Sequence, residues 1–339
     1  MKQGLTLMAL WAAVVGASYA QQRVIIFDPQ QRIYYADAND KSVRALPVRD
    51  NIYVIVGAGG NITVQTGDDG VLIVDTGSGG AMTEKVQSIV RQISTKPVRY
   101  ILNTSYRPDH TNGNEGLRGA VPVPAAGGGR GGGGGGGGGG RGSTPIASHE
   151  NVLARMSAPS GKTAPTPTNA WPTETYYTLY HDLYFNGEGV QMLHDPNAIT
   201  DGDSMVYFRR SDVISTGDMF QTTTYPMIDV KAGGTINGVV NGLNHILEIT
   251  IPKEKQEGGT MVIPGHGRIC DEADVLEYRD MLTIVRDRIQ DAIKKGMTLQ
   301  QIQAASLTKD YDPRYGATTG PWTTTMFIEA AYQSLSQKP

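Results

Sequence analysis

Asp109 and His110 stand side by side in the stretch Asn103-Thr104-Ser105-Tyr106-Arg107-Pro108-Asp109-His110-Thr111-Asn112-Gly113-Asn114. One offers a hard carboxylate oxygen and the other an imidazole nitrogen, a mixed donor set suited to zinc, iron or manganese. The pair follows an apolar run, Val98-Arg99-Tyr100-Ile101-Leu102, that reads as a short buried strand, and it leads into Asn112-Gly113, a turn. Both residues are therefore expected on a loop at the C-terminal end of a strand, where α/β folds commonly carry their chemistry. An isolated Asp-His pair fits a solvated loop with an Asx-type turn equally well, so the surrounding elements have to decide.

Those elements are strands first and helices later. Val24-Ile25-Ile26-Phe27 and Arg32-Ile33-Tyr34-Tyr35 are strand-like and are expected to extend the sheet as a small N-terminal piece spanning residues 21–48. Ile52-Tyr53-Val54-Ile55-Val56, Ile62-Thr63-Val64-Gln65-Thr66 and Val71-Leu72-Ile73-Val74-Asp75 follow, separated by Gly-rich and Asp-Gly turns, which is the pattern of an antiparallel meander. Val86, Ile89, Val90 and Ile93 recur at helical spacing, so a helix precedes the strand that carries the Asp-His loop. This order predicts a mixed sheet with helices packed outside it. Further strands are expected at Val190-Gln191-Met192-Leu193-His194 and Met205-Val206-Tyr207-Phe208, with helices over 237–249, around Val275 to Ile293, and over 323–335.

Composition narrows the partners. Lys+Arg number 30 against Asp+Glu 33, a net charge of −3, so nothing points to nucleic acid or an anionic membrane surface. Lys2, the apolar run from Leu5 to Val15, and Ser18-Tyr19-Ala20 read as a secretory signal peptide over 1–20, cleaved after Ala20 and too short for a comfortable membrane span. The mature chain is therefore expected to be periplasmic or secreted. Its one cysteine, Cys270, leaves it without an intramolecular disulfide. Residues 127–142 are almost pure glycine with Arg130 and Arg141; such a run buries nothing and reads as a disordered insertion.

Asp75-Thr76-Gly77 ends a strand and has two readings. As the triplet of an aspartic protease it needs a second copy to share a proton with, and the chain has none. The other reading comes from a resemblance. The Asp109 stretch resembles the metallo-β-lactamase superfamily signature, His-x-His-x-Asp-His after an apolar strand ending in Asn-Thr; Ser105 and Arg107 stand at the two leading His positions, and Asp109 and His110 match. Ala147-Ser148-His149-Glu150-Asn151-Val152, Thr200-Asp201-Gly202-Asp203-Ser204, Ser215-Thr216-Gly217-Asp218 and Pro264-Gly265-His266-Gly267 resemble later segments of the same family, with Ile199 where it has a metal-binding His.

The resemblance implies an α/β fold of the αββα type, two mixed sheets flanked by helices, over residues 49–339. It implies that the first of two metal positions has lost all its ligands but Asp218. The second keeps Asp109, His110, Asp218 and His266. Asp75 and Asp201 are implied as supports behind them, and one divalent ion, zinc first and iron second, as the cofactor. Two functions stay open. One is an exported hydrolase in which a single ion activates water against a small-molecule ester, thioester or amide, with Asp109 and Arg107 as catalytic groups. The other is an inactive relative that binds a ligand or partner.

Overall fold

The computed structural model describes residues 23–26, 34–37, 42–118, 144–157, 164–255 and 258–336. The signal-peptide and glycine-run readings fall outside these residues. Among them, β1 (Arg23–Ile26) and β2 (Tyr34–Asp37) pair antiparallel as a separate two-stranded sheet. They do not extend the main sheet, which instead starts with β3 (Arg44–Arg49), a strand lying inside the segment read as the extension.

The main sheet has seven strands in chain order: β3, β4 (Ile52–Val56), β5 (Ile62–Thr66), β6 (Val71–Val74), β7 (Val98–Leu102), β8 (Ile146–His149) and β9 (Glu174–Tyr176). Pairing is antiparallel from β3 to β6 and parallel from β6 to β9. The second sheet runs β10 (Tyr180–Phe185), β11 (Glu188–His194), β12 (Ser204–Phe208), β13 (Val213–Ser215) and β14 (Met261–Ile263), antiparallel except for the parallel pair β13–β14.

The continuous apolar runs are explained by burial on both faces. Leu72 and Val74 of β6 point between the sheets, where they meet Val206, Phe208 and Met261 of the second sheet. Val71 and Ile73 point the other way, onto Val86, Ile89 and Val90 of helix α1 (Ala81–Ile93). On the second sheet Met205, Ile214 and Val262 face outward and are covered by α2 (Ile236–Ile249), α3 (Glu272–Lys294) and α4 (Thr324–Ser336). The layers are thus helix, sheet, sheet, helix, the αββα sandwich.

The helix α2 is seated by one residue that must be glycine. Thr235 caps it, its Oγ1 accepting from Gly238 N at 2.8 Å. A Cβ at Gly238 would lie 1.7 Å from the Asn197 carbonyl oxygen, on the loop that carries Ile199. Gly238→Ala should therefore destabilise the protein by about 1–3 kcal/mol, because overpacking outweighs the roughly 1 kcal/mol that alanine gains in a helix. Urea unfolding measures it; a variant as stable as the parent would mean that the 197–199 loop yields freely.

Parallel pairing brings the C-terminal ends of β6, β7, β13 and β14 to one end of the sandwich. Bonds across the sheets close that end: Asn61 N donates to Gly265 O (2.8 Å), Ser204 N to Thr104 O (2.9 Å), and Thr63 Oγ1 to Ser215 Oγ (3.0 Å).

Candidate metal centre

Three segments leaving those strand ends supply four donors, and Asp109 and His110 sit in a short helical turn, Pro108–Thr111, where the sequence led us to expect a loop. Asp109 and His110 follow β7, Asp218 follows β13 and His266 follows β14. Their ligating atoms all lie within 4.8 Å of one another. His110 Nε2 is 3.1 Å from Asp218 Oδ1, His266 Nε2 is 3.5 Å from the same oxygen, and His266 Nε2 is 2.9 Å from Asp109 Oδ2. Bonds of about 2 Å at tetrahedral angles place ligand atoms roughly 3.3 Å apart, so a single small cation fits among them. Close approach of the last loop is possible because Gly265 has no side chain: a Cβ there would fall 2.6 Å from Asp218 Oδ1.

Buried polar atoms point to the same fit. His110 Nε2 and both oxygens of Asp218 are buried with no hydrogen-bond partner. Leaving such atoms without hydrogen bonds is costly; a cation among the four donors would satisfy His110 Nε2 and Asp218 Oδ1, while Oδ2 faces Arg107. His110 is oriented for this from behind. Its Nδ1 donates to Asp75 Oδ2 at 2.7 Å, while Thr104 N and Oγ1 donate to the same carboxylate at 2.9 and 2.6 Å. Asp75 is buried and holds φ at 62°, a left-handed conformation that lets β6 end with its side chain turned under His110.

Burial alone would lower the His110 pKa, but the Asp218 and Asp75 carboxylates override it and raise it well above the ordinary histidine value. Burial likewise opposes ionisation of Asp109 and Asp218; contact with the two histidines, and with Arg107, outweighs it and holds both carboxyls below their usual range. In the ion-free group the carboxylates around His110 therefore favour its imidazolium form. A cation must displace the proton on His110 Nε2. Ion affinity should accordingly rise by about tenfold per pH unit on the acid side of the raised His110 pKa and level off above it. Calorimetric titration in buffers of different ionisation enthalpy counts the protons released; ion binding with no proton release near neutral pH would contradict this protonation state.

Arg107 takes the far side of Asp218. Its Nε is 2.9 Å from Asp218 Oδ2 and 3.8 Å from Asp109 Oδ1. Neither Nε nor Oδ2 is aligned for a hydrogen bond, so the contact is an ion pair. Oδ1, the other oxygen, faces the two histidines. Ser105 is buried, and Ile199 belongs to the apolar core under the outer helices, far from any ligating role.

Asp201 needs correcting. Its carboxylate is paired with Arg155, which donates Nε and Nη2 at 2.7 and 2.6 Å, and it does not support the four-residue group. Asp203 is the carboxylate that lies behind the group. Burial pushes its pKa up to about 6, with Asp218 adding to the effect and the bond from Thr200 N opposing it. The sequence alone cannot tell the two apart, because the sharp 200–203 turn decides which one faces inward. His149 stays outside the group. It stacks on His194 at 3.7 Å, and burial, with that neighbour, lowers its pKa to about 4.

A four-layer sandwich with two carboxylates and two imidazoles converging at the strand ends has the architecture of a metal-dependent hydrolase fold. A sequence model of the metallo-beta-lactamase superfamily matches residues 55–266, and the chain belongs to that superfamily. Its members bind divalent metals. Among solved structures, the stereoselective inverting sec-alkylsulfatase Pisa1 from Pseudomonas sp. is similar at a TM-score of 0.59 and 15% identity, over 86% of this chain and 50% of that one. This chain thus spans half the length of the alkylsulfatase. A metallo-beta-lactamase from Pontibacter korlensis (TM-score 0.51, 13% identity, 71% of this chain and 99% of that one) and the DIM-1 metallo-beta-lactamase (TM-score 0.51, 15% identity, 71% and 97%) are also similar. At these identities the likeness is one of fold. A comparison with curated proteins finds no match.

Proposed function

We propose that this protein is an exported hydrolase that holds one divalent ion, zinc before iron, on Asp109, His110, Asp218 and His266. The observation that carries this reading is the convergence of four donors, two of whose inward-facing atoms, His110 Nε2 and Asp218 Oδ1, are buried without a hydrogen-bond partner. A bound ion supplies a Lewis acid and lowers the pKa of a water molecule. The remaining roles fall to the chain itself. Asp75 fixes the His110 ring and its tautomer. Asp109 and His266 are part-exposed, at 28% and 26%, so the face they form is the one open to substrate. With its pKa held low, Asp109 serves as an anionic ligand better than as a proton acceptor. Arg107 presents a fixed positive edge to an oxyanion developing on an ester, thioester or amide carbonyl.

The ion pair between Arg107 and Asp218 also favours a second reading, a non-catalytic relative in which the guanidinium replaces the first ion and the protein only binds a ligand. Elemental mass spectrometry of the purified protein separates the two at their root. About one ion per chain is expected, lost in an Asp109→Ala/His266→Ala double variant. Near two would mean that Ser105, Arg107 and Ile199 do not close the other position; none after reloading would favour the binding module. A panel of esters, thioesters and lactams on the loaded protein then tests turnover.

Export rests on residues 1–20, and the mass of the mature chain recovered from the periplasm or medium tests it. The expected partner is a small molecule, with neither nucleic acid nor membrane. Among the described residues no helix is long and apolar enough to cross a membrane.

A further inference from the structure

Arg107 separates the four-residue group from a cleft of about 440 Å³. The cleft lies between the segment 227–231 and the last helix, α4. Met227, Val230, Trp322 and Met326 form its apolar wall, and Arg107 closes its inner end. Pockets of roughly 300–1,000 Å³ hold small organic ligands, so the size suits one short chain or ring system.

Charge decides what kind of ligand enters. Two acids and two bases line the cleft; the acids keep their charge but already accept hydrogen bonds from the protein. Asp229 accepts from Tyr106 Oη at 2.7 Å and from Ala232 N at 3.0 Å, and Glu329 accepts from Gln333 Nε2 at 3.0 Å. The bases have spare donors. Arg107 spends Nε on Asp218, and its Nη2 rests on the Met227 sulfur at 3.4 Å, a weak acceptor for a guanidinium. Lys231 is exposed and has no ion pair among the described residues. A cleft with apolar walls and under-used cations at its inner end and rim selects a molecule with a chain and an oxyanion.

We propose that this cleft binds an amphiphilic anion, a linear acyl or alkyl chain with an oxyanion head. The head lies against the outer edge of Arg107, and the chain lies along Met227, Trp322 and Met326. Arg107 touches Asp218 on one edge and the cleft on the other, so a head group held there stands beside the candidate metal centre. As a statement about substrate, this rests on the hydrolase reading above: the apolar part of an acyl ester or thioester lies in the cleft, and its carbonyl oxygen faces Arg107.

The test is a binding measurement that needs no turnover. Sodium decanoate is titrated into the ion-loaded full chain, followed by calorimetry and by the fluorescence of Trp322. Saturable binding is expected, with no such binding by acetate. Met326 is 42% exposed, so Met326→Glu should fold normally while its charge weakens decanoate binding by about tenfold or more. Trp322→Phe should remove the ligand-dependent fluorescence change, which assigns that change to the cleft wall. No saturable binding, or binding unaffected by Met326→Glu, would overturn the cleft assignment. Decanoate binding by a protein that hydrolyses nothing in the panel would uphold the cleft and remove the hydrolase reading. Ester turnover indifferent to Met326→Glu and to decanoate would do the reverse.

Discussion

Asp218→Ala should cost the protein both its ion and roughly 3 kcal/mol of stability, the lower end of what removal of one partner from a buried ion pair does. Asp218 is the hub of the group: Oδ1 faces His110 and His266, and Oδ2 faces Arg107. Its side chain is 3% exposed and that of Arg107 18% exposed, so water does little to compensate either charge. His110 can respond to the loss by giving up its second proton. Arg107 cannot, because a guanidinium stays charged, and its stranded charge accounts for most of the cost. An Arg107→Ala/Asp218→Ala double variant should recover much of the lost stability while still failing to bind an ion. Thermal unfolding and ion stoichiometry, measured on parent, singles and double, separate the two roles. An Asp218→Ala protein that retains one ion per chain would remove Asp218 from the ligand set.

That hub is visible in the sequence only through resemblance. Gly217-Asp218 and Gly265-His266 are common dipeptides, and nothing in their spacing brings them to Asp109; the parallel β13–β14 pair brings them to each other, and the packing of the two sheets brings both to Asp109. The Asp109-His110 loop was more legible, since an apolar strand of five residues and an Asn-Gly turn bracket it. Asp75 was placed correctly at a strand end, and its left-handed φ together with the three bonds it accepts turns an ambiguous Asp-Thr-Gly into the support of His110.

What sequence reading missed has a common cause. β10 alternates exposed Tyr180, Asp182 and Tyr184 with half-covered His181 and Leu183 and buried Phe185 on a sheet edge, so it shows no apolar run. β3 carries Pro47 in a polar neighbourhood and is a strand because it pairs with β4. Lys231, Trp322 and Met326 reach the neighbourhood of Arg107 from more than a hundred residues away, and no local pattern announces that.

Asp75→Asn should lower ion affinity by roughly 10- to 100-fold, the usual penalty for losing the carboxylate behind a metal-ligating histidine. Asparagine tolerates the φ of 62° at this position, so the end of β6 should hold and the unfolding midpoint should move little. An amide oxygen can still accept from Thr104 but brings no charge to His110 Nδ1. One of the two carboxylates that raise the His110 pKa is then gone, and that pKa must fall. The sign of the consequence is specific. Protons compete with the ion for His110 Nε2 only below that pKa, so the pH at which affinity levels off should shift to lower pH in Asp75→Asn, even as the plateau itself drops. A role limited to pinning Thr104 and the 103–110 loop would lower the plateau and leave the leveling pH where it was. Titrating ion affinity against pH in both proteins distinguishes these outcomes, because only a carboxylate that acts electrically on His110 moves both.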